Sequence, residues 1–163
     1  MFTAAAISSA DPREFYRDLA QQLEGLLAGE RDAVANAANT SALIFTSLPD
    51  LNWAGFYFLR GDTLVLGPFQ GKPACVRIGV GKGVCGTAAA ERRSLRVEDV
   101  DAFPGHIACD SASRSELVVP LIRGGAVIGV LDIDSPIPSR FNAIDQAGLE
   151  RLAAIFVAGS NSP

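Results

Sequence analysis

Reactive side chains are scarce in this chain: its 163 residues include one histidine, one tryptophan, one methionine, two tyrosines and three cysteines. No two cysteines form a C-x-x-C pair, the close spacing that structural zinc sites usually bring. Three is also an odd count, with spacings unlike a disulfide scaffold. A reducing cytoplasm fits best, where disulfides tend to be transient and catalytic. There is no basic excess, since 14 lysines and arginines against 18 acids leave a net charge of -4. That argues against nucleic acid and against anionic membrane, both of which select basic surfaces. No apolar run approaches the ~18 residues of a membrane-spanning helix. Met1 to Ala10 lacks the basic start of a secretory signal and is too short for one. Repeats and linkers are missing too, so residues 11–163 read as one domain behind a flexible tail, 1–10.

What remains is an ordinary globular composition, 48% apolar and 20% charged, long enough for one full hydrophobic core. Asp11-Pro12-Arg13-Glu14 is a helix start, with an acid at the cap, proline next and a glutamate placed to reach back. Phe15, Leu19, Leu23, Leu26 and Leu27 share one face, and Gly29 stops the helix. A second helix runs from about Arg31 to Leu48. Strands are expected over Asn52 to Arg60, Thr63 to Leu66, Ala74 to Val80 and Leu95 to Glu98. Gly61-Asp62 marks the first hairpin, and a short helix covers about Gly86 to Arg92. Residues 99–114 read as an ordered loop, a length often tied to function. Gly124-Gly125 joins strands Ser115 to Arg123 and Ala126 to Asp134, and Asn142 caps a last helix to about Ala158. Helices at the two ends with antiparallel strands between them make an α+β domain.

The cysteines stand out against this frame. Cys75, Cys85 and Cys109 lie in turns or element ends, beside backbone amides, a lysine or a histidine. Those surroundings favour a thiolate, so thiol redox chemistry leads. Asp132 and Asp134 close a strand and share a face that continues Ala126, Ile128 and Val130. The plain reading is solvation at a strand end; the sharper one is a pocket floor that holds an ammonium or donates a proton. A two-residue Gly-Gly turn pairs Leu117 with Asp132 and leaves Glu116 on the opposite face. Glu116 joins the aspartates only through a longer loop, a bulge, or a place before regular pairing. Pro120 makes a bulge or an edge position plausible.

Trp53, Gly55 and Tyr57 share a face against Phe56 and Phe58. Core packing is the plain fate of these rings. Gly55 leaves room between Trp53 and Tyr57 for a wall against a small ligand, by cation–π contact in one version. Gly81-Lys82-Gly83-Val84-Cys85-Gly86 matches G-x-G-x-x-G, but its mid-chain place and short helix argue against a dinucleotide fold. Its amides can instead take a substrate carboxylate or lower the pKa of Cys85. Zinc held by Cys75, Cys85, His106 and Cys109 is disfavoured by spacing. A hydrolytic pair of His106 with Cys85 or Cys109 leaves the third cysteine without a role.

Taken together, these segments are similar to the free methionine-(R)-sulfoxide reductases, a family built on the GAF fold. The likeness is densest at 52–57, 66–72, 74–78, 81–87, 105–110, 115–116 and 129–134. The resemblance implies a GAF-like single domain with a central antiparallel sheet of about six strands, packed by N- and C-terminal helices and commonly paired as a homodimer. It further implies Cys109 as the nucleophile that reduces free methionine-(R)-sulfoxide, and Cys75 or Cys85 as the resolving partner, with Cys75 favoured. Thioredoxin would be the reductant, with no bound cofactor and no metal. Asp132 would supply the proton, Glu116 and Asp134 would hold the substrate, and Trp53 with Tyr57 would shape the pocket. A GAF sensor that binds a small molecule or registers oxidation is the competing expectation.

Overall fold

The computed structural model describes residues 6–107 and 109–163. The tail expected over 1–10 therefore lies outside the described residues for its first five positions. Ile7 within it packs against the core beside the first helix. That helix, α1 (Pro12–Leu27), starts where the Asp11 carboxylate accepts the Arg13 amide at 2.8 Å. Glu14 does not reach back to the cap as expected; it accepts the Ser9 hydroxyl at 3.0 Å instead. A complete capping box forms at the other end of the chain, where Asn142 and Asp145 cap α4 (Ala143–Gly159) reciprocally. Asp145 also accepts the Tyr16 hydroxyl at 2.8 Å, tying α4 to α1. Between them, α2 (Ala33–Ser47) is capped by Asp32.

Six strands form one sheet: β1 (Trp53–Arg60), β2 (Thr63–Gly71), β3 (Arg77–Gly79), β4 (Leu95–Val97), β5 (Ser115–Arg123) and β6 (Ala126–Ser135). Their order is β3-β2-β1-β6-β5-β4, and every neighbouring pair is antiparallel. Two strands differ from the sequence reading by several residues. β2 runs on to Gly71 because a bulge places Gly67 and Pro68 opposite Phe56, and a bulge tolerates proline. β3 is confined to three residues, leaving Cys75 in the loop before it.

Alternation sorts the strand residues onto two faces. Ala54, Phe56, Phe58, Leu117, Leu131 and Ile133 face α1, α2 and α4 and form the larger core. Phe156 of α4 lies 4.5 Å from the Phe56 ring centre and 6.4 Å from that of Phe58. The opposite face carries Trp53, Tyr57, Val118 and Val130, covered by α3 (Gly83–Glu91) and by loops.

The β5–β6 hairpin holds the decisive detail. Its Gly124-Gly125 turn has φ of 56° and 79°, and pairing starts as expected with Arg123 opposite Ala126 and Ile122 opposite Val127. Leu121 then pairs with Gly129, so Ile128 is one residue too many and the register slips by one. Glu116 ends opposite Asp134, and Val118 opposite Asp132. The expectation from plain pairing is overturned and the bulge alternative holds. The expected stripe also changes: Ile128 packs on the helix side, while Val127 turns to the other face. Pro120 sits beyond the stretch of β5 that β4 covers, which ends at Val118. Its missing amide therefore breaks no β4 pairing.

The fully buried Phe156 gives a direct test of the larger core. Phe156→Ala is expected to lower unfolding free energy in urea by about 3–5 kcal/mol. A loss within experimental error would mean that the ring does not hold α4 to the sheet.

Candidate active site

The slipped register assembles an acidic floor. On one face of three adjacent strands stand Glu116 of β5, Asp132 and Asp134 of β6, and Trp53 and Tyr57 of β1, with Trp53 opposite Asp134 and Gly55 opposite Asp132. Above them α3 brings in Cys85. This helix starts at Gly83, three residues earlier than expected, which puts Cys85 in its first turn. Gly86 permits that approach, because a Cβ there would run into the Gly79 carbonyl oxygen. Cys85 Sγ lies 3.8 Å from Glu116 Oε1, and one ligand atom from each of Cys85, Glu116 and Asp132 falls within 4.8 Å of the others. His106 Nε2 stands 3.9 Å from Glu116 Oε2.

Two loops meet over this floor. Trp53 Nε1 donates to the Lys72 carbonyl at 3.1 Å and the Tyr57 hydroxyl donates to the Cys75 carbonyl at 3.0 Å, so β1 pins residues 72–75. From the other side, Asp110 accepts the Ala112 amide at 2.9 Å and the Asn52 side chain at 3.1 Å, and pairs with Lys72 at 3.7 Å. The Ala112 amide, then Asn52 and Lys72, hold the Asp110 carboxyl below its ordinary range. A disulfide between Cys75 and Cys109 joins the two loops, with Cα atoms 5.4 Å apart. Beside Cys109 lies a small cavity of about 30 Å³, lined among others by Tyr57, Cys85, His106, Cys109, Glu116 and Asp132.

Burial decides the protonation of this cavity. It raises Glu116 and Asp134, and neighbouring carboxylates push both further. Asp132 is pushed up to about 6 by burial, against the opposing influence of the nearby Cys85 and Glu116 side chains. Burial, followed by the charges of Asp132, Glu116 and Asp134, also raises the Cys85 thiol well above its usual value. The expectation of a thiolate-favouring setting for Cys85 is thus overturned: burial first, and then three acids, outweigh the amides of a helix start. The zinc set already disfavoured by spacing lacks two free thiols here, because Cys75 and Cys109 are bonded to each other.

Trp53 packs as core and is not among the residues lining the cavity. It is 2% exposed and stacks on Phe69 at 5.2 Å and Tyr57 at 5.9 Å. A Cβ on Gly55 would meet Phe69 and Trp53, so the room expected there is already filled. Tyr57 lines the cavity, and Trp53 backs it. Sequence reasoning missed the latch of Asn52, Lys72 and Asp110. The only hint was an aspartate directly after Cys109.

Comparison with known proteins places this geometry. A GAF domain model matches residues 11–158. The free methionine-R-sulfoxide reductase of Escherichia coli is 59% identical over 141 residues, covering 86% of each chain. The Saccharomyces cerevisiae protein of the same name is 46% identical over 156 residues, covering 91% of this chain and 87% of its own. The crystal structure of the Neisseria meningitidis free methionine-R-sulfoxide reductase with its substrate superposes with a TM-score of 0.93. That pair is 45% identical and covers 98% of this chain and 95% of the other. The chain belongs to the free methionine-R-sulfoxide reductase family of GAF proteins. It is an oxidoreductase, and the family's α+β GAF fold is the one seen here.

A pH dependence follows from the raised carboxyls of this reductase. Ionising Asp132 opposes folding, so its contribution is fully present below the ordinary carboxylate range and is lost as pH climbs through about 6. Asp132→Asn is therefore expected to exceed the parent in urea stability at about pH 8 by roughly 1–3 kcal/mol, the gap closing at about pH 4. A parent chain of equal or greater stability at the higher pH would contradict the buried placement of this acid.

Proposed function

We propose that this enzyme reduces free L-methionine-(R)-sulfoxide to methionine, using Cys109 as nucleophile and Cys75 as resolving thiol. The observation that carries the reading is the Cys75–Cys109 disulfide standing at a cavity floored by buried acids. Sulfoxide oxygen leaves poorly until it is protonated, so a positioned acid is needed. Asp132, with its carboxyl near 6, can hold that proton close to neutral pH and release it on demand. The Cys109 thiolate attacks the sulfoxide sulfur and takes over the oxygen, leaving methionine and a cysteine sulfenic acid. The Cys75 thiol then displaces that oxygen as water, closing the disulfide. Two electrons pass from the thiol pair to the substrate, and a thioredoxin-type dithiol returns them by exchange.

The amino-acid end of the substrate fits the same floor. Its ammonium brings the positive charge that the acid cluster lacks, and draws Glu116 and Asp134 back toward their ionised forms. The amides of Gly83, Val84 and Cys85 open α3 without a side-chain cap and line or border the cavity, where a carboxylate suits them. Tyr57, backed by Trp53, faces the methyl group. Cys85 stays buried and free, with a thiol raised too far to attack; this favours Cys75 as the resolving partner. The working form would be a homodimer in a reducing cytoplasm, with thioredoxin as partner and no bound cofactor.

Single-turnover chemistry separates the two cysteines. Cys109→Ser is expected to release no methionine. Cys75→Ser should release about one methionine per subunit and then stop, because the sulfenic acid has no partner. A fully active Cys109→Ser enzyme would overturn the assignment.

A further inference from the structure

We infer that Cys85, Glu116 and Asp132 form a binding site for a borderline-soft divalent cation, zinc above all, whose occupancy blocks the cavity. The inference stands on the cluster's geometry; only the competition with substrate rests on the reductase reading. One ligand atom from each residue lies within 4.8 Å of the others, and all three residues are buried. Asp132 is 6% exposed, and its Oδ1 is enclosed without any hydrogen-bond partner. A buried carboxylate oxygen without a partner, on a residue that gives the cluster a ligand atom, is the kind of group a bound cation satisfies. Cys85 Sγ and Glu116 Oε1 are 3.8 Å apart. Tetrahedral zinc, with its sulfur ligand at ~2.3 Å and oxygen ligands at ~2.0 Å, needs about 3.5 Å between them. Closing the ring draws these two atoms together slightly and brings in an Asp132 oxygen that lies within 4.8 Å of both.

Ligand chemistry selects the ion. A thiolate with two carboxylates suits zinc or cadmium, whereas calcium and magnesium take oxygen ligands. The fourth corner opens to the cavity, where a water completes the tetrahedron or His106 turns in from its place 3.9 Å from Glu116 Oε2. Binding expels the Cys85 thiol proton and any proton held on the two carboxyls, so affinity rises with pH. The divalent charge also relieves the mutual repulsion of the acids. The Cys75–Cys109 disulfide contributes no ligand, which leaves the site available in the oxidised protein.

That independence makes the test clean. In the disulfide form Cys85 is the chain's sole thiol, so a thiolate-to-cadmium charge-transfer band reports this site alone. Titration of the oxidised protein with Cd²⁺ should give a band saturating at one ion per chain, removed by added Zn²⁺ and untouched by Mg²⁺. Cys85→Ser should abolish the band. Asp132→Asn, which keeps the side-chain volume, should weaken Cd²⁺ affinity by about tenfold or more. No band in a several-fold excess of Cd²⁺, or undiminished affinity in Asp132→Asn, would overturn the site. Free methionine-(R)-sulfoxide should displace the ion. Failure of that displacement with the band intact would contradict the substrate placement and leave the metal site standing.

Discussion

A single extra residue in β6 sets the chemistry of this molecule. Side chains alternate along a strand, so a slip of one position exchanges every residue between faces. Without Ile128 the turn-defined register would place Glu116 among the helix-side apolar residues, where an acid has no partner. With it, Glu116 lies opposite Asp134 and one step from Asp132, on the face that Cys85 covers. The apolar residues fall correctly on the other face as a consequence, with Leu117, Leu131 and Ile133 against the helices. The same bulge therefore completes both the core and the acid floor.

Gathering carboxyls under a helix is costly, and the surrounding structure offsets that cost. The helix-side core, stitched by Phe56, Phe58 and Phe156 and by the Tyr16–Asp145 hydrogen bond, holds the sheet rigid from behind. On the near side, Trp53 and Tyr57 do not reach for solvent; they stack as core and use their polar tips to pin the loop of Cys75. Asn52 and Lys72 hold the Asp110 end of the facing loop, which places Cys109 within bonding distance of Cys75. Apolar scaffolding, loop placement and the protonation of the floor are thus one design. Acids that cannot shed their protons to water keep them for a substrate.

Much of this was legible in the sequence and some was not, for identifiable reasons. Local rules found the helices: Asp11 with Pro12, Asn142 before the last helix and Gly29 after the first act within one turn. The hairpins followed from Gly61 and from Gly124-Gly125 for the same reason. The motif resemblance named the family and singled out Cys109, Glu116, Asp132 and Asp134. The bulge itself was beyond reach, because Ile128 satisfies either face and only packing on both faces of the sheet decides. Cys85 was misjudged because neighbours in sequence suggested a thiolate, while the fold buries it under α3 beside three acids of β5 and β6. Glu14 had a second acceptor duty to Ser9 that the cap pattern did not reveal. The latch of Asn52, Lys72 and Asp110 joins residues far apart in the chain, with no spacing rule to announce it.

The most direct test is turnover of the free R epimer with thioredoxin, its reductase and NADPH, run beside the S epimer and a peptide-bound sulfoxide. The proposed binding of a free amino acid's ammonium by the floor and its carboxylate by the amides that open α3 predicts NADPH loss with the free R epimer alone. Equal turnover of a peptide-bound sulfoxide, whose ammonium and carboxylate are tied up in amides, would contradict the role given to the buried acids. No turnover of the free R epimer by the fully reduced protein would contradict the account as a whole.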